Sequence, residues 1–161
     1  MTDRAAILIH ELELEPHPEG GHYREIFRSP HAVHPQDGRE LRSGLTSIYY
    51  LLRNGERSRW HRVASDEAWH FYEGDAVELW VAAPDGSAFT RVSLGPAAVD
   101  TAPTYVVPAR WWQAARTEGS YALAGCTVGP GFDVRDFALL ADDAASLELL
   151  RGRWPEIGEM L

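Results

Sequence analysis

Between Gly55 and Gly74 the chain carries His61, Glu67 and His70, interleaved with Trp60, Trp69, Phe71 and Tyr72. An imidazole and a carboxylate this close in sequence support two kinds of chemistry. They are metal ligands, or they move protons, since a free imidazole titrates at ~6.5 and a nearby carboxylate raises that value. Side chains alternate along a strand, so Glu67, Trp69 and Phe71 share one face while Ala68, His70 and Tyr72 share the other. His70 therefore reads as a packed outer-face or dimer-contact histidine unless a bulge turns it inward to a ligand.

Further along, Gln113 and Trp111 share a face in "PARWWQ" (108–113). Trp69, Phe71 and Trp111 beside Glu67 and Gln113 make an aromatic interior with a few polar groups, the composition of a small-ligand site and equally of a large core. In "HPEGGHYRE" (17–25), Arg24 is a candidate clamp for a carboxylate or phosphate. Its competing reading is a structural ion pair with Glu19 or Glu25. His17 and Gly20–Gly21 read as shaping the start of their strand. Cys126, in the apolar run "ALAGCTV", reads as an inert buried thiol.

All 15 basic residues are arginine, so Schiff-base chemistry and a phosphate-gripping P-loop lysine are excluded. A formal charge of −9 argues against nucleic acid and anionic membrane partners. No cationic, apolar leader is visible, and the longest apolar run, "IYYLL" (48–52), is too short to span a bilayer. One cysteine permits no internal disulfide, so the expectation is a cytoplasmic protein.

These groups need a scaffold, and the punctuation of the chain supplies one. A short helix is predicted over 3–14, then about nine strands: 22–28, 45–53, 58–63, 67–73, 76–82, 87–94, 104–107, 111–116 and 121–128. The separators "RNGE", "YEGD", "APDG" and "TEGS" carry the glycines that tight hairpins require. A second helix is predicted over 141–152, begun by Asp142 or Asp143 and ended by Gly152. At 161 residues this is one domain, mainly all-β, a sandwich or small barrel of jelly-roll type with short N- and C-terminal helices.

Gly55, His61, Val63, Glu67 and Gly74 fall on the spacing of the first cupin signature, with Val63 where a second histidine stands. Pro108 keeps the second signature, in which Arg110 replaces a glycine and Gln113 a histidine. With the blocks "HPEGGHYRE", "SDEAWHFYEG", "VPARWWQAA" and "YALAGCTVGPGFD", the chain resembles the Cupin 5 group, small single-domain cupins of unknown function. The resemblance implies a double-stranded β-helix and a homodimer. Metal-loaded cupins hold Mn, Fe, Ni or Zn on three histidines and a glutamate. Here the corresponding set is His61, Glu67 and Gln113, so no cofactor is expected, or at most a weakly held divalent metal.

Three functions follow. The first is metal-independent acid–base chemistry of isomerase or epimerase type on a small sugar or keto acid, with His61 and Glu67 as the catalytic pair. In it Gln113, Trp69, Phe71, Trp111, Arg24 and His70 contact ligand. The second is a non-catalytic binder of a small molecule, and the third a metal-dependent enzyme with the reduced ligand set.

Overall fold

The structure is a computed structural model and describes residues 2–161. Two antiparallel sheets face each other. The larger runs in the order β1 (Glu15–Pro16), β2 (His22–Arg28), β5 (Thr46–Arg53), β12 (Tyr121–Gly129), β7 (Asp66–Gly74), β10 (Thr104–Val107). The smaller runs β13 (Ala138–Leu139), β6 (Arg57–Arg62), β11 (Trp112–Thr117), β8 (Val77–Ala82), β9 (Phe89–Leu94). A two-stranded ribbon, β3 (Ala32–Val33) with β4 (Arg42–Ser43), lies apart. This is the expected double-stranded β-helix. The four two-residue strands, β1, β3, β4 and β13, are too short to show an alternation in sequence.

The core between the sheets is built from alternate positions: Tyr50 and Leu52 of β5, Trp69 of β7, Leu79 and Val81 of β8, Ala124 and Cys126 of β12. The smaller sheet is buried on its other face too, which is why Trp112 to Ala115 of β11 are buried in succession. There Trp60, Trp80, Trp112 and Ala114 meet Leu150 of α2 (Ala144–Arg153) and Ile157 and Met160 of the closing 3-10 turn. Arg91 and Arg62 lie over the Trp80 and Trp112 rings at 4.0 and 4.4 Å, cation–π contacts that cap this second core.

Both terminal helices are present and shorter than their apolar pattern suggests. α1 (Arg4–Glu11) is capped by the Asp3 carboxylate and packs Ala5 and Leu8 on Leu51 and Leu123. α2 is capped by Asp143 and runs through Gly152 to Arg153, so this glycine does not end the helix as predicted. Trp154 ends it, because Pro155 follows and disfavours helical backbone at the residue before it.

Candidate functional site

One irregularity builds the site. Gln113 of β11 pairs with His61 of β6, but Ala115 pairs with Ser58, so Arg59 and Trp60 together face the single Ala114. This bulge turns both His61 and Ser58 to the interior although they are three positions apart, and leaves Trp60 in the second core. β7 alternates as far as its bulge at Tyr72: Glu67, Trp69 and Phe71 face inward and His70 outward, opposite Gly125. Trp111 packs on the interior cluster with Phe71, on the face shared with Gln113.

A tight turn then inserts a carboxylate that sequence reasoning did not select. The His17 amide donates to the Gly21 carbonyl at 2.9 Å, and Gly20 and Gly21 both have positive φ. A Cβ at Gly20 would strike the Arg57 carbonyl, so only glycine allows this approach. The Arg59 amide donates to the Glu19 carbonyl at 3.1 Å, and the Glu19 side chain enters the barrel. Its only signal in sequence is the doubled glycine after it.

Inside, the hydrogen bonds fix the protonation pattern. The Trp69 indole can only donate, and it donates to Gln113 Oε1 at 2.7 Å. The Gln113 amide nitrogen must then face Glu67, donating to Oε2 at 2.7 Å. His61 Nδ1 lies 2.8 Å from the Arg59 carbonyl and 3.1 Å from Glu19 Oε2. The carbonyl can only accept, so Nδ1 carries the hydrogen and Nε2 the free lone pair. His17 is the opposite tautomer: its Nδ1 accepts from the Glu19 amide at 3.1 Å, which leaves Nε2–H as donor. Ser58 donates to Glu19 Oε1 at 3.0 Å, and the Tyr50 hydroxyl to the Gly20 carbonyl.

Burial decides the charges. Desolvation pushes the Glu19 carboxyl up to about 8, against the Ser58 hydrogen bond and the field of Arg59, and it lowers His17 to about 4. Glu67 is raised and His61 lowered for the same reason, each partly offset by the other. His61 and Glu67 form no ion pair; the carboxyl in contact with His61 is Glu19. Cys126 faces the same interior beside Glu67, and burial holds its thiol well above the usual range.

The residues do not fit a cupin metal. Gln113 presents its N–H to Glu67 and its oxygen to Trp69, so where a cupin histidine would stand an ion meets a neutral amide oxygen already engaged by an indole. Among the described residues no group of three or more His, Cys, Asp or Glu is arranged to hold one. Arg24 is not brought to the cluster. It pairs with Glu13 at 3.0 Å, beside a surface hollow of about 590 Å³ that Glu13, Glu15, Tyr23 and Glu25 also line. Neither Glu19 nor Glu25 holds it; Glu25 pairs with Arg28 at 2.8 Å.

The sequence pattern of the family described as Cupin superfamily (DUF985), Cupin 5, matches residues 6–140. The chain belongs to this family. A protein from Shewanella oneidensis is 33% identical, with a TM-score of 0.85 over 99% of this chain and 98% of that one. A hypothetical protein from Leishmania major is 32% identical, with a TM-score of 0.80 over 93% and 98%. Oxalate decarboxylase from Bacillus subtilis shares the fold at 16% identity, with a TM-score of 0.59 over 91% of this chain and 36% of that one. No curated protein matches. In this Cupin 5 chain the two signature motifs converge as expected of the fold. What departs is their occupant, a hydrogen-bonded chain from Trp69 through Gln113 to Glu67 beside a His61–Glu19–Ser58 chain.

Proposed function

We propose that this Cupin 5 protein is a metal-independent acid–base catalyst of isomerase type acting on a small sugar. The supporting observation is the pairing of opposite proton states in one interior: a neutral His61 whose Nε2 lone pair has no partner among the described residues, and a Glu67 carboxyl whose burial favours the protonated form. His61 Nε2 takes a proton from carbon next to a carbonyl as Glu67 gives its proton to the carbonyl oxygen, forming an enol. Return of the two protons to exchanged positions completes the isomerisation. Glu19, through Nδ1, positions the imidazole; Trp69 and Gln113 orient Glu67. Substrate enters past the half-buried rim of His17, Tyr23, Phe71 and Trp111.

Deuterium exchange from D2O into aldoses and ketoses, followed by NMR, tests this. His61→Gln and Glu67→Gln are expected to lose ~10²-fold or more of the exchange at unchanged folded spectra. Ligand binding by the native protein with no exchange in any sugar would instead make it a binder.

The chain pairs as a homodimer in the cytoplasm through the outer face of the larger sheet. Phe27, Ser47, Ala68, Tyr72, Val106 and Thr127 form a patch there without a single charge, with Phe27, Tyr72 and Val106 about half exposed. A copy carrying −9 is least repelled at an uncharged face. Light scattering is expected to give a dimer mass for the native chain and a monomer mass for Tyr72→Glu. A native monomer at high micromolar concentration ends this reading.

A further inference from the structure

The interior cluster has an unusual charge census for a chain whose surface is crowded with ions. Six polar side chains meet there: His17, Glu19, Ser58, His61, Glu67 and Gln113. No arginine side chain hydrogen-bonds or ion-pairs with any of them among the described residues. Arg59 is exposed and donates to the Pro18 carbonyl at 3.0 Å, reaching Glu19 only through its field. Arg39 and Arg42 are both held by Asp136 at 2.9 Å, Arg62 lies over Trp112, and Arg24 pairs with Glu13. Lysine does not occur in the chain.

We infer that the cluster recognises an uncharged polyhydroxylated molecule and discriminates against carboxylates and phosphates. This rests on the interior being the ligand site and narrows its substrate class. An anion brought to the cluster would meet two carboxyl groups and no cation to offset it. If the carboxyls are ionised they repel it; if they are protonated the anion loses its hydration for neutral partners alone. An ammonium ligand would need at least one of the two carboxyls ionised while buried, which their surroundings oppose. Vicinal hydroxyls, each a donor and an acceptor, match what the protein offers: the lone pair of His61 Nε2, the N–H of His17 Nε2, and the Glu67 oxygen that Gln113 does not hold. Aromatic side chains packed on this interior, Tyr23 edge-on to His17 at 4.4 Å and Phe137 stacked on His61 at 5.6 Å, suit the apolar C–H faces of a sugar.

Thermal stabilisation of the native protein by matched probes tests this. The pairs are xylose with xylonate, glucose with gluconate, and erythrose with erythronate, and glucosamine is the cationic member. At least one neutral probe is expected to raise Tm with concentration, as ligand binding to the folded state requires, and its acid is expected to do so at least tenfold less potently. His61→Phe should remove the shift. An acid or glucosamine more potent than its neutral counterpart overturns the ligand class while leaving the site reading intact. No shift from any probe, with none lost in His61→Phe, overturns both.

Discussion

Replacing Asp136 with alanine is expected to cost about 3–5 kcal/mol of folding free energy, the range for stripping one partner from a buried ion pair. Arg42 grips both Asp136 oxygens, Nε to Oδ2 and Nη2 to Oδ1, each at 2.9 Å, and Arg39 reaches Oδ2 at 2.9 Å. The Arg42 and Asp136 side chains are only 5% and 7% exposed, so water cannot replace the lost carboxylate. Arg39 would keep Asp37 at 3.0 Å, while Arg42 would be left with only Asp133 at 4.0 Å and the repulsion of Arg39. Against the 5–15 kcal/mol that stabilises an ordinary domain, this is a large share. The same pair ties the segment around β4 to the segment that carries Phe137 over His61. Asp136→Ala is therefore expected to disturb the site as well as the fold. Urea unfolding at neutral pH measures the cost. A loss below 1 kcal/mol would mean that the pair is solvated and the two segments are held by something else.

The strands were legible because a sheet packed on both sides leaves a simple mark. The predicted stretch 22–28 coincides with β2 and 104–107 with β10, and the other long strands differ by a residue or two at their ends. Glycine-bearing turns fix those ends chemically, so little tertiary information was needed. The inward direction of Glu67, Trp69, Phe71 and Gln113 followed from period-two alternation and the cupin spacing. Three features were hidden for distinct reasons. The bulge at Arg59–Trp60 breaks the alternation without a glycine to announce it, so Ser58 could not be placed beside His61. Glu19 reaches the interior from a turn, where no periodicity exists to point a side chain. The partner of Arg24 is Glu13, eleven residues earlier and in another segment, and only the chain path brings them together. The second tryptophan core escaped for a related reason: Trp60, Trp80 and Trp112 look like strand residues of either face until α2 is laid against them.

Stability is expected to fall by about 2 kcal/mol between pH 6.5 and 8, and Glu19→Gln is expected to remove most of that fall. The folded chain holds the Glu19 proton up to about 8, whereas an unfolded chain releases it near the ordinary 4.5. Across that interval the folded state binds more protons, so raising the pH favours unfolding at about 1.4 kcal/mol per unit. His17 acts oppositely: it titrates at about 4 when folded and near 6.5 when unfolded, so stability rises with pH between those values. The two cancel from about 4.5 to 6.5 and leave a plateau. Above 6.5 only the Glu19 contribution survives. Glutamine keeps an oxygen for the Ser58 hydroxyl and has no proton to lose, so the variant should melt at nearly constant temperature from pH 6.5 to 8. Melting curves of the native chain that stay flat or rise through this window would show that the Glu19 carboxyl is already ionised. The interior would then favour a cation over an uncharged ligand, and the protonated acid assigned to Glu67 would lose the environment that supports it.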